Sequence, residues 1–162
     1  MSWLPEGAAC SLLYLASADG KTAKDFHRCC DNKGPTLVVI ESGEYIVGGF
    51  TSKSWLSPTS TNKEIADDQC FLFTLANPFG TEPIKITPKR GVTTGIRCGA
   101  VLGPRFIDKD NALGVDESGG NLIGFETLSS SFMCPQNANH QTFFLGQHTF
   151  NVTELEVFKV DF

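Results

Sequence analysis

The chain has 162 residues, of which 41% are apolar and 19% charged. That is the length of one domain with a core large enough to stand without staples, and too apolar for a disordered chain. The balance of 13 Lys and Arg against 18 Asp and Glu leaves a net charge of −5, which lacks the basic footprint of a nucleic-acid binder and disfavours anionic lipid.

The opening Met1 to Glu6 shows no basic stretch followed by an apolar core, so no secretory leader is expected. The apolar run at residues 10–16 is too short to cross a bilayer, so no membrane insertion is expected. The six cysteines are Cys10, Cys29, Cys30, Cys70, Cys98 and Cys134. Two are adjacent, none forms a CxxC pair, and several sit in apolar runs where Cys packs as a small hydrophobe. Reduced thiols in a cytoplasmic protein are the expectation.

Residues 10–16 (CSLLYLA) read as a strand or a buried helical turn. Residues 22–30 form the clearest helix. Thr22 can cap it with Asp25 three positions on, and Ala23, Phe26, His27 and Cys30 share one face. Asn32 and Gly34 then stop it. Residues 36–41 and 44–50 form a hairpin about Ser42-Gly43, and Gly48-Gly49 inside the second strand marks a bulge or a close backbone approach. Residues 51–68 are polar and read as a loop. Residues 70–75 (CFLFTL) form a strand buried on both faces, and 83–87 alternate as a half-buried strand after the Asn77-to-Gly80 turn. Short strands follow at 96–102, 121–127, 141–145 and 155–160. About eight strands and one main helix predict a mainly β fold. The expected architecture is a two-sheet antiparallel β-sandwich with short helical turns, forming a single domain over 1–162.

Several blocks carry a family resemblance. Leu12-Leu13-Tyr14 is followed by Asp19-Gly20, then Ala23-Lys24-Asp25-Phe26-His27 and Cys30. Gly34-Pro35-Thr36-Leu37 with Ile40 leads to Gly48-Gly49-Phe50 and Ser52-Lys53-Ser54-Trp55. Phe71-Leu72-Phe73 comes next, and residues 150–158 close the chain. In this order and spacing the chain resembles the TLDc domain family. Two blocks depart from the family pattern. Ala66-Asp67-Asp68-Gln69 stands where a Gly-Thr-Gly-Glu turn is usual, and Leu102-Gly103-Pro104 replaces a run of three glycines. Residues 106–141 match only loosely. The resemblance implies a non-enzymatic protein-interaction module, with roles in oxidative-stress protection and in binding and regulating the vacuolar proton-translocating ATPase. It implies protein partners, ATPase subunits among them, and no cofactor.

The residues themselves offer few sites for chemistry. No Walker loop, GxGxxG, GxSxG or HExxH motif occurs, so no catalytic residue, metal site or organic cofactor is expected. His27 and Cys30 lie one helical turn apart, but a zinc site needs two more ligands and a core role is favoured. Cys29 and Cys30 are the redox-thiol candidates of an alternative reading, a thiol-dependent redox protein. Asp108, Asp110, Asn111, Asp116 and Glu117 gather around Gly114 without EF-hand spacing, and a solvated acidic turn is preferred over a calcium loop. A ligand- or calcium-binding sandwich is the other alternative. The expected interaction surface joins the Gly48, Gly49 and Phe50 bend to Trp55 as an aromatic anchor, although a Trp in such a stretch more often covers the end of a core, with Glu154 and Glu156 sharing one strand face at the rim.

Overall fold

The computed structural model describes residues 3–108, 111–127, 131–133 and 144–162. Two six-stranded antiparallel sheets make a β-sandwich. The first contains β1 (Ala9–Leu15), β2 (Thr36–Ser42), β3 (Tyr45–Thr51), β5 (Phe71–Ala76), β6 (Ile84–Ile86) and β12 (Glu154–Asp161), in the order β1-β12-β2-β3-β5-β6. The second contains β4 (Lys63–Ala66), β7 (Gly95–Cys98), β8 (Arg105–Ile107), β9 (Asn111–Ser118), β10 (Asn121–Glu126) and β11 (Thr149–Asn151), in the order β11-β10-β9-β8-β7-β4. Closing strand β12 lies between β1 and β2, so the two ends of the chain meet in one sheet.

The helix forms as its sequence dictates. In α2 (Ala23–Cys30) the Thr22 side chain accepts from the Asp25 amide while Asp25 accepts from the Thr22 amide. Asn32 then takes the left-handed conformation at φ 60° and ends the run. A short helix, α1 (Ala16–Asp19), precedes it. The hairpin of β2 and β3 closes at Ser42 opposite Tyr45, with Gly43 at φ 60° in the turn.

Alternation in the first sheet sends Val38, Ile40, Leu72, Leu155 and Val157 inward, where they are buried. They meet Phe106, Leu113 and Val115 of the second sheet in one continuous core. Phe26 brings α2 into it, with ring centroids 5.9 Å from Tyr14 and 5.5 Å from Trp55.

Three expectations are corrected. The polar stretch 51–68 is not all loop, because β4 pairs with β7 at the edge of the second sheet. The acidic cluster around Gly114 is not a turn. Strand β9 runs through it, and a side chain at Gly114 would strike the Phe125 ring. The strand expected at 141–145 is not seen where it can be judged, since Phe144 and Leu145 lie in a turn and 141–143 fall outside the described residues.

Candidate interaction surface

The six expected surface residues are split by the fold. Trp55 is fully buried. Its ring packs edge-on against Phe26 and Phe106, and its indole N–H donates to the buried Thr36 hydroxyl at 2.9 Å. The expectation of an exposed aromatic anchor is therefore corrected: the pairing of Asp31 with Trp55 draws the segment after β3 into the sandwich. Gly48 and Gly49 do not form a bulge, but both are close approaches. A side chain at Gly49 would run into Phe106 in the core, at 2.7 Å. One at Gly48 would meet the Val38 carbonyl and, at 2.6 Å, the Phe73 ring on the opposite face. Gly49 thus belongs to the interior, whereas Gly48 and Phe50 face outward.

Glu154 and Glu156 share that outward face. Glu154 stands directly opposite Glu41 on β2, and Glu156 opposite Val39. The three carboxylates so brought together have no ion-pair partner among the described residues. Burial works against ionisation of Glu154, but hydrogen bonds from the Ser17 side chain and from the Leu155, Ser17 and Ala16 amides outweigh it and hold the carboxyl below its usual range. Glu156 moves the other way. Partial burial, a shared hydrogen bond with Glu41 and the charges of Glu41 and Glu154 all push it up.

Beside the carboxylates lies an apolar groove. Phe50, Phe71, Phe73 and Val160 form a second small cluster on the outer face of the first sheet, apart from the main core. No further layer of secondary structure covers it among the described residues. The segment at Trp3 and Leu4 lies against it, with the Trp3 ring 5.8 Å from Phe73. Trp3, Leu4, Leu37, Val39, Phe73 and Leu75 line what remains open. Leu75 keeps 41% of its surface exposed, and Leu12 and Phe162 are exposed as well.

The remaining polar groups of note are engaged in holding the fold. Asp67, buried at the departure from the family turn, accepts from the Thr51 and Ser52 hydroxyls and the Ser52 amide at 2.7 Å and from the Gln69 amide at 3.1 Å. Glu126, fully buried, accepts from the amides of Phe144 and Leu145 at 2.9 Å each. Neither role was read from the sequence. For Asp67 a local signal exists, since an Asp side chain readily accepts from the backbone N–H two residues on, here that of Gln69. His27 is ringed by acceptors: Asp31 lies 2.6 Å from Nδ1, and the Gly99 and Leu102 carbonyls lie 2.8 Å from Nε2. Both nitrogens are thereby committed, which leaves the ring no position for a metal. In the acidic cluster, Asp116 pairs with Arg105 and accepts from the Gly103 amide, Glu117 accepts from the Gly120 amide, and Asp110 lies outside the described residues.

Of the two candidate thiols, Cys30 is buried and Cys29 half-buried. Cys30, Cys70 and Cys98 are buried, and burial pushes each of them up, Cys70 to about 11. Half-buried Cys29 is also raised by burial, which reduces the thiolate that reacts. Cys10 alone among the described cysteines is exposed. Cys134 lies outside the described residues.

No described helix is long and apolar enough to cross a membrane. A search of curated proteins finds no match to the chain. The family model of the TLDc domain matches residues 3–161, nearly the whole length, and covers the strand, helix and closing-strand blocks described above. The chain belongs to the TLDc domain family.

Proposed function

We propose that this chain acts by binding rather than turnover, as a protein-interaction module of the cytoplasm that serves oxidative-stress protection through the vacuolar proton ATPase. One observation carries the reading. The outer face of the first sheet presents an apolar groove bordered by Glu41, Glu154 and Glu156, while the buried polar side chains just described are engaged in structural hydrogen bonds. An apolar centre with a polar rim is the usual anatomy of an interface. Family membership supports the choice of partner, since the resemblance implies the vacuolar ATPase.

The test is cosedimentation of the purified chain with vacuolar membranes carrying the ATPase, beside membranes stripped of it. Retention on the first alone is expected, together with altered proton pumping. Equal sedimentation with both would sink the ATPase reading. Peroxidase turnover that vanishes in Cys29→Ser would replace binding by thiol chemistry. The raised Cys29 thiol argues for the opposite result.

A further inference from the structure

The register of the first sheet lays out one row across its outer face. Glu156 of β12 stands opposite Val39 of β2, Val39 opposite Gly48 of β3, Gly48 opposite Phe73 of β5, and Phe73 opposite Lys85 of β6. Four gaps between strands make this row about 19 Å long, the length of roughly three and a half helical turns. The row runs from an acid, through apolar ground, to a base. Its middle is low, because Gly48 has no side chain and the Phe73 ring lies across it. Trp3 lies over the Phe73 and Lys85 end, and Leu4 and Leu75 also line the groove.

The two charged ends are not equivalent. Lys85 is engaged: its ammonium sits 4.4 Å over the Phe71 ring and donates to the Trp3 carbonyl at 3.3 Å. At the other end Glu156 is joined by Glu41 and Glu154, with no cation from the described residues among them. The groove therefore offers apolar contact together with uncompensated negative charge at one end. That sign disfavours anionic lipid, nucleic acid, and a second copy bringing the same rim.

We propose that this groove receives a cationic amphipathic segment of a protein partner, its apolar side chains seated between Trp3 and Leu75 and its Lys or Arg side chain set against Glu41, Glu154 and Glu156. The proposal rests on the interaction-module reading and names the chemistry of the partner's contact. A helix of two to three turns with apolar residues at i, i+3, i+4 and i+7 has the length of the roughly 14 Å from Glu156 to Phe73 that Trp3 leaves open. A basic residue near one end then meets the carboxylates. It offsets the mutual repulsion of three neighbouring carboxylates that have no cation among the described residues. Trp3 would report the event, since the other tryptophan, Trp55, is buried in the core.

The experiment uses two helical peptides of about 14 residues, each with a leucine stripe. One carries Lys at its polar positions and the other Glu. Binding to the whole chain is followed by calorimetry and by the fluorescence of Trp3. The Lys peptide should bind and shift the emission, with the Glu peptide at least about tenfold weaker. Leu75→Asn in the groove and the double change Glu41→Gln, Glu156→Gln at the rim should each weaken the Lys peptide by at least about tenfold. Leu75 and both glutamates lie outside the main core, and matched circular-dichroism melts confirm that each variant folds. Equal binding of the two peptides, or binding indifferent to both variants, overturns the proposal. So does loss of binding to the Lys peptide in favour of phosphatidylserine vesicles, or a concentration-dependent dimer that Leu75→Asn abolishes. The same variants in the membrane assay separate this inference from the reading beneath it. Wild-type retention that both variants share leaves the interaction module standing and removes the groove. Peptide binding with no retention on ATPase membranes does the reverse.

Discussion

Glu126 makes the fold sensitive to pH in a direction that its geometry allows to be worked out. The carboxyl ends β10 with no solvent exposure, and its two oxygens accept from the Phe144 and Leu145 amides. Burial pushes its pKa from an ordinary 4.5 up to about 8, and the two amide donors oppose that rise without cancelling it. The folded chain thus holds this proton more tightly than the unfolded chain. The stabilisation is complete below about 4.5, shrinks once the unfolded chain ionises, and is lost as pH rises through about 8. At about 1.4 kcal/mol for each pH unit across that window, the loss is on the order of 5 kcal/mol. Glu126→Gln removes the titration. The amide oxygen still accepts from one backbone N–H, but its NH2 group faces the other, at a cost of about 1–3 kcal/mol at any pH. The variant should be less stable than the wild type at pH 5 and more stable at pH 9. Urea denaturation of both proteins at the two pH values measures this, and the difference between them cancels the other titrating groups. A variant equally destabilised at pH 5 and pH 9 would refute the reasoning. It would mean that the amide donors keep Glu126 ionised in the fold throughout.

Two further outcomes follow from burial. Trp55→Ala should cost about 4–6 kcal/mol, from the emptied ring volume and the Thr36 hydroxyl left without its donor, and Phe26→Ala and Phe73→Ala about 3–5 kcal/mol each; chemical denaturation giving under about 1 kcal/mol for these would show the core to be misplaced. A disulfide-exchange reagent should label Cys10 first in the native protein and Cys29 slowly, with Cys30, Cys70 and Cys98 reacting only on unfolding, and mass-spectrometric mapping that finds Cys30 among the fast thiols would contradict its burial.

The elements legible in the sequence are those whose local chemistry and tertiary role agree. The Thr22 and Asp25 capping box starts α2, and the β-branched run before Ser42-Gly43 becomes one arm of a hairpin. Both signals are local and survive packing. The missed strands carry the opposite lesson. β4 is a mostly exposed edge of four residues, Lys63 to Ala66, so no apolar alternation marks it. β9 spans Asn111 to Ser118, and its Asn, Gly, Asp and Glu read as turn residues. What makes it a strand lies elsewhere in the chain: the Phe125 ring covers Gly114, and Arg105 pairs with Asp116. Glu126 gave no local signal either, because its partners are amides 18 and 19 residues further on.

The candidate surface was half legible for a related reason. Period-two alternation tells which side chains share a face, and it placed Glu154 and Glu156 together on β12. It does not tell what lies over that face. Phe71 and Phe73 point one way and Leu72 the other, so residues 70–75 read as a strand covered on both sides. The second sheet covers the Leu72 side. Over the Phe71 and Phe73 side the described cover is thin, the bent segment with Trp3 and Leu4. Trp55 was the natural anchor to propose from sequence, being a large aromatic in a polar stretch, yet its indole N–H is satisfied inside by Thr36. A tryptophan with an internal hydrogen-bond partner is core even when its neighbours in sequence are Ser and Lys. The apolar side chains available to a partner are instead those of doubly apolar strands, whose second face the fold leaves only partly clothed.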